Sequence, residues 1–562
     1  MTPQPPQASP APPAWPTLIE AQIAAWHEIA PPNPPARRLA AQLIASRDAH
    51  DAARPPTDHR GTVSDFAASL ATLAPPPRHP ASRHPASRHS APRRTASAEV
   101  GLAALRDRLR AGEITARAAL EAQFARIDAT PGAAGALLWQ MRAAARAAAD
   151  AADRHRAANQ PLPPLHGVAM AHKDIFAIAG HPQTAGSAFW RNHVADHTSS
   201  VIARLLAAGS LVFAGLHMAD FAQNPTGLNA HWPDCLNPWD AARIPGGSSS
   251  GSGVAVALGL TPAALGTDTG GSIRLPAACC GITGLKPSWG RVSRAGVVPL
   301  CESLDCIGPL ARTARDCAIL LDVITGPDAA DPTATSLPPT GYEAALGQPV
   351  DHLTLATAPH LWDPGTPPDI LDAVDAALAV FATLGVGHRA VTPPHWDAIV
   401  TYGATIGRAE AAALHANWMR EDPSRFVPHV AARLYPGYAV PATHYIEAVR
   451  NRAPLLHAFC DAVFGAADVL ALPTLPGRVP TRAETDMDTA RSGTDSAFFA
   501  TGNHVRPFNY LGLPALTLPI GFDANALPIG LQLVGRPFAE ATLLTLADAY
   551  QDATGLPPLV AP

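Results

Sequence analysis

From Pro245 to Pro287 the sequence reads PGGSSSGSGVAVALGLTPAALGTDTGGSIRLPAACCGITGLKP, and no other stretch limits the fold as tightly. Two glycine-rich turns flank a strand-like apolar run, with serine at the tip of each turn. In the second turn, GTDTGGS at 266–272, successive small residues let backbone N–H groups converge, and SIRLPAAC then starts a helix. Ser272 is therefore expected where converging amides and a helix N-terminus both stabilise negative charge. A nucleophile beside an oxyanion hole needs that setting. A phosphate-binding loop is the competing reading, weakened because the spacing fits neither GxxxxGKS/T nor GxGxxG. The first turn, GGSSSGS at 246–252, offers hydroxyls able to relay a proton, although by itself it reads more readily as a flexible loop.

A serine nucleophile needs a base. No GxSxG elbow is present, and no histidine is tied to either serine turn by a motif. Lysine is the better candidate, and here it is scarce. Of 41 basic residues only Lys173 and Lys286 are lysine, and the remainder are arginine. Lys173 closes the apolar run in HGVAMAHKDIFAIAG (166–180), where loss of solvent would lower an amine's pKa towards neutrality. A neutral lysine accepts a proton, which arginine cannot do. The blander reading makes Lys173 an ion-pair partner of the adjacent Asp174. Lys286, in GLKPS, fits that structural role more naturally.

With 47% hydrophobic and 15% charged residues the chain is globular, and a net charge of −5 gives no footprint for nucleic acid. Seven cysteines without a CxxC pair argue against a disulfide framework and against a zinc site. No apolar run reaches the ~18 residues of a membrane span, and the first residues lack a secretory pattern. A cytoplasmic location without membrane attachment is expected. Three regions follow from composition. Residues 1–75 carry helical periodicity at about 17–29, 36–52 and 62–73, broken by proline pairs, and form a helical or partly disordered extension. Residues 76–97, with RHPAS repeated, read as a solvated linker rather than a metal or anion site. From 98 to 562, short β-like runs (167–171, 211–214, 261–266, 469–472, 516–520, 530–534) alternate with helical ones, which implies an α/β domain. GEIT at 112–115 should separate two helices with Thr115 as N-cap, and the helical stretch 395–465 should cover one end of the sheet.

Taken with GVAMAHKD, LNPWDAARIPGG and FNYLGLPALTLPIGF…LPIGLQLVGRPF, the serine-rich block closely resembles the amidase signature family over about residues 98–562. The resemblance implies a mixed, mostly parallel central sheet covered on both faces by helices. It also implies a Ser-Ser-Lys triad of Ser272 as nucleophile, Ser248 as bridge and Lys173 as base. The backbone of Thr269, Gly270, Gly271 and Ser272 would form the oxyanion hole. Ala222 would touch the substrate through its backbone, and Asp268 and Arg274 would hold the loop. One departure stands out: Ser250 replaces a glycine of the usual GGSSGGS, which would strain a positive φ there.

The expected activity is hydrolysis of a small-molecule amide to an acid and ammonia or an amine, with no cofactor and no metal, by a protein compatible with a homodimer. Ester and carbamate substrates are open to the same acyl-enzyme chemistry. The nearest rival is the glutaminase component of a tRNA-dependent amidotransferase. The stretch FFATGNHVRPFN (498–509) disfavours it, offering Asn503 but no carboxylate for glutamine's ammonium. A catalytically silent binding protein would require a broken triad, and the triad positions are intact.

Overall fold

Local signals set the first elements of the main domain. Thr115 accepts a hydrogen bond from the amide of Ala118 and starts the helix Ala116–Ala129, directly after the helix Leu102–Ala111 ends at Gly112. The computed structural model describes residues 15–43, 49–50, 52, 65–75, 101–362, 364–488 and 494–555. The 76–97 linker lies outside them.

Eleven strands are seen among the described residues. Strands β1 (Leu137–Gln140), β2 (Ala169–Lys173) and β3 (Leu211–Leu216) form a small sheet in the order β1-β3-β2. The large sheet contains β4 (Ala263–Asp268), β5 (Thr283–Lys286), β6 (Cys306–Ala311), β7 (Thr354–Thr357), β8 (Gly387–Ala390), β9 (Val469–Pro473), β10 (Ala515–Phe522) and β11 (Pro528–Gly535). Its order is β4-β6-β5-β10-β11-β9-β7-β8. The α/β class and the mixed sheet hold, but the sheets are not mostly parallel. Six of the nine ladders are antiparallel and only β2–β3, β7–β8 and β7–β9 are parallel. Parallel neighbours arise where a crossover helix separates consecutive strands, as Ser200–Ala207 does for β2 and β3 and Pro368–Thr383 for β7 and β8. Elsewhere the chain doubles back, and β10 and β11 form a hairpin whose turn is closed by Asp523.

Helices cover both faces because β11 alternates. Leu531 and Leu533 join the main apolar core with Leu543 and Leu544 of the helix Glu540–Thr554, and each such leucine contributes ~2 kcal/mol by leaving water. Between them Gln532 points the other way and accepts from Arg274 at the start of the helix Arg274–Cys280. That helix lies so close to the sheet that a Cβ at Gly284 or Gly530 would stand 2.8 or 2.9 Å from Ala277 or Ala278. All seven cysteines are buried and unpaired. No helix among the described residues is long and apolar enough to cross a membrane.

The N-terminal extension is docked helix where it is described, at Trp15–His27, Pro34–Ala41 and Asp65–Thr72. Ile23, Ile29, Ala36 and Leu39 bury against Ala412, Val430, Leu434 and Tyr435 of the helical stretch expected to act as a cover. Asn33 donates to the carbonyl of Pro428 (2.8 Å), and the Arg452 guanidinium lies 3.6 Å over the ring of Phe66. The extension therefore forms an outer layer of that cover.

Candidate active site

Strand β2 ends in Lys173 and runs beside β4. Here His172 replaces a ladder, its Nδ1 accepting from the amide of Leu265 (3.1 Å). Burial drives His172 down to about 3, so the imidazole is neutral, as an acceptor must be. The juxtaposition carries Lys173 to the second residue from the end of β4. Its Nζ donates to Thr267 Oγ1 and to Ser248 Oγ, both at 2.7 Å, and the side chain is 1% exposed. Burial lowers its pKa to about 7, with Asp305 and Asp268 pulling the other way. Asp174 is not its partner. That carboxyl accepts from Trp139 Nε1 (2.7 Å), from the Thr184 amide (2.9 Å) and from the Thr184 hydroxyl, and burial raises it to about 7. Lys286 is buried too, but its Nζ donates to the carbonyl of Pro287 (2.9 Å) and forms no ion pair among the described residues, so it is not the ion-pair partner expected.

A base that works when neutral gives an activity that rises with pH through its pKa. Turnover of any accepted amide should climb through about pH 7 and level off above it. A pH–kcat/KM profile flat from pH 5.5 to 9 would contradict a lysine base.

The two serine turns clasp one another directly. The amide of Ser249 donates to the carbonyl of Ser272 (3.3 Å), and the peptide between Gly247 and Ser248 is cis. Ser248 is fully buried, whereas Ser272 is 8% exposed and opens onto a cavity. Ser250 causes no strain. It is the first residue of the helix Ser250–Ala257, is absent from the positive-φ residues, and lies 2.9 Å from Nδ1 of His217.

The 268–274 loop is organised around Asp268. Its carboxylate accepts from the amides of Gly271 (2.8 Å) and Ile273 (3.1 Å), from Arg274 Nε (3.0 Å) and Nη2 (2.9 Å), and from Asn509 Nδ2 (2.9 Å). Burial alone would raise this carboxyl, but Arg274 holds it far below the usual range. Arg274 in turn donates to Gln532 Oε1 (2.6 Å), Asn509 Oδ1 (2.6 Å) and the carbonyl of Val505 (2.8 Å). The Gly271 amide is engaged by Asp268, whereas those of Thr269, Gly270 and Ser272 have no hydrogen bond among the described residues. The Thr269 hydroxyl is fixed separately on Asp305.

Above Ser272 lies a cavity of about 170 Å³, small beside the ~300–1,000 Å³ of drug-sized sites. Thr269, Gly270 and Ala222 line it. Phe221 and Ala222 take left-handed φ values of 43° and 60°, and the Ala222 amide donates to the carbonyl of Ala219 (2.9 Å), which leaves its own carbonyl as the group to offer. Sequence reading missed Thr267, Asp305, Asn509 and Gln532, and it gave no role to Arg408, Arg433, Arg506, Leu39 and Gln42, which also line the cavity. Thr267 could have been found from the alternation of β4, which sets it apart from Asp268. The rest carry no local signal.

A sheet clothed in helices, with a buried lysine hydrogen-bonded to one of two interlocked serine turns, is what this chain presents. The Amidase family model matches residues 118–544, and the chain belongs to that family. Its relatives include the A-type chain of the glutamyl-tRNA(Gln) amidotransferase of Chloroflexus aggregans (strain MD-66 / DSM 9485). The two are 40% identical over 477 residues, a match covering 81% of this chain and 96% of that one. Among solved structures it resembles a chain from a vestigial protein complex tied to the evolutionary origins of an s-triazine catabolic enzyme. That match has a TM-score of 0.76 and 32% identity over 82% of this chain and 99% of the other. It also resembles a 6-aminohexanoate cyclic dimer hydrolase, with a TM-score of 0.73 and 26% identity over 81% and 97%.

Proposed function

We propose that the chain is a hydrolase of small carboxamides that works through an acyl-enzyme on Ser272. The observation that carries this reading is the buried Lys173 Nζ, 2.7 Å from Ser248 Oγ and with a pKa near 7. Ser272 Oγ attacks the carbonyl carbon and passes its proton to Ser248, whose own proton moves to neutral Lys173. The oxyanion is met by the amides of Thr269, Gly270 and Ser272, while the Ala222 carbonyl accepts from the substrate N–H. Collapse breaks the C–N bond as Ser248 protonates the leaving nitrogen and Lys173 reprotonates Ser248. Water then repeats the sequence and releases the acid. The family membership and the amide-hydrolysing relative support this chemistry.

The test is a panel of aliphatic amides, aryl amides, carbamates and glutamine, scored by ammonia or amine release, with mass spectrometry of protein treated with a sulfonyl fluoride. Turnover together with a covalent adduct on Ser272 is the expected result. An adduct elsewhere, with unmodified Ser272, would overturn the assignment.

A second reading has a specific observation in its favour. The 40% identity to a glutamyl-tRNA(Gln) amidotransferase chain points to glutamine as ammonia source and to tRNA and further proteins as partners. Glutamine as the sole substrate in the panel, with a partner protein co-purifying, would establish it over the first. Against it stands the cavity, in which no lining Asp or Glu is present among the described residues to receive glutamine's ammonium.

A further inference from the structure

The cavity over Ser272 is more cationic than amide hydrolysis requires. Arg408 from the helix Trp396–Leu414, Arg433 from the helix Pro428–Leu434 and Arg506 all line it. The stem of Arg506 packs on Gly270, where an added Cβ would stand 3.3 Å from its Cγ, so its charge sits within a side chain's length of the oxyanion loop. One Arg506 nitrogen, Nη1, donates to the carbonyl of Phe499 (2.9 Å). Arg433 lies 5.2 Å over the ring of Phe498 and 5.9 Å from that of Phe499, and its Nη1 is buried without a hydrogen-bond partner among the described residues. A guanidinium with an unused, buried N–H costs free energy that a bound acceptor would return.

Electrostatics point the same way. Burial, Arg506 and Arg408 all lower the pKa of Arg433, and burial and Arg408 lower that of Arg506. The three cations repel one another, and neither Arg433 nor Arg506 forms an ion pair among the described residues. An apolar occupant would leave that repulsion in place. An anion would relieve it, and a carboxylate fits the planar fork of arginine.

We propose that this arginine-lined part of the cavity is a subsite for a carboxylate carried by the substrate, so that the preferred amides are small and net-anionic. The inference rests on the reading of Ser272 as the nucleophile, since it places the carboxylate and the scissile amide in one cavity. The small volume limits the distance between them to a few bonds. Glutamine fits poorly, because its ammonium would face the same three guanidiniums.

Two measurements separate this proposal from the reading beneath it. In the first, kcat/KM of the full chain is compared for succinamate, which bears a carboxylate, and for neutral butyramide. Succinamate should be favoured about 100-fold, the effect of charge-assisted hydrogen bonds in a partly desolvated site. Arg433→Gln should cut that ratio roughly tenfold, and Arg433→Lys should restore part of it. The second is calorimetric binding of succinate and of butyramide to the Ser272→Ala protein, which does not depend on turnover. Succinate should bind the more tightly, and Arg433→Gln should remove the difference. Equal handling of the charged and neutral compounds in both measurements overturns the carboxylate subsite even if amides are hydrolysed. Preferential succinate binding without any amide turnover upholds the subsite and overturns the hydrolase reading instead.

Discussion

Replacing Lys173 with arginine lowers kcat/KM for the best amide by ~10³-fold or more, the range in which a positioned general base contributes. The substitution nearly keeps the length but makes the charge permanent, so it removes the neutral form that accepts the proton. Arginine stays charged at any accessible pH and has no lone pair to offer Ser248. It also cannot reproduce a point donor held 2.7 Å from two hydroxyls in a site that is 1% exposed. In the proposed mechanism Lys173, Ser248 and Ser272 act as a unit, so the Lys173→Ala/Ser272→Ala double variant should be no slower than Ser272→Ala alone. Steady-state kinetics measure both, and the labelling rate of Ser272 by a sulfonyl fluoride reads the Lys173→Arg variant independently. Retention of more than a tenth of wild-type kcat/KM by Lys173→Arg would remove Lys173 from the chemistry.

The second large effect is on stability. Arg274→Leu should destabilise the protein by about 3–5 kcal/mol, the range for breaking a buried ion pair by removing one partner. Both side chains of the Asp268–Arg274 pair are fully buried, and without Arg274 the Asp268 carboxylate would sit uncompensated beneath the 268–274 loop. Set against a typical stability of about 5–15 kcal/mol, this is a large fraction. Changing both partners, as Asp268→Asn with Arg274→Leu, should recover part of the loss, because no bare charge is then left inside. Urea denaturation followed by far-UV circular dichroism reads the shift. A loss below about 1 kcal/mol for Arg274→Leu would mean that Asn509 and the loop amides alone satisfy Asp268.

What can be read in advance follows from how local each signal is. Ser248 and Ser272 lie in motifs whose glycines and serines shape their own turns, and Lys173 closes an apolar run, so each can be singled out without knowledge of the rest. Strands β10 and β11 show apolar runs bounded by turn residues, and the sequence locates the core of each. Strand β8, GHRA, escapes notice because it is an edge strand exposed at every position and has no buried face to pattern it. Strand β5, TGLK, is four residues long with a glycine inside, below what periodicity resolves. The mostly parallel sheet is implied by the resemblance alone, and alternation of strand and helix cannot correct it, since it names the elements but not the ladder direction between strands distant in sequence. The arginines of the cavity are invisible for a compositional reason. In a chain that uses arginine for nearly every cation, nothing distinguishes Arg408, Arg433 and Arg506, whereas one lysine among so few draws attention at once.

The N-terminal helices have a consequence for the order in which this molecule comes together. Asn33 is bonded to a carbonyl 395 positions away, and Leu39 and Gln42 complete one wall of the cavity above Ser272. These residues leave the ribosome early, yet their seat is made of residues near 411–438 that are synthesised much later. Until then the apolar faces of Ile23 and Leu39 have nowhere native to go, and the chain must carry them exposed through most of its synthesis. Contacts of such long range form late. The loop that carries Ser272 waits longer still, because Asn509 and Gln532, which hold Asp268 and Arg274, follow further down the chain. Both the serine loop and the cavity above it are thus completed by segments far downstream of the residues they contain.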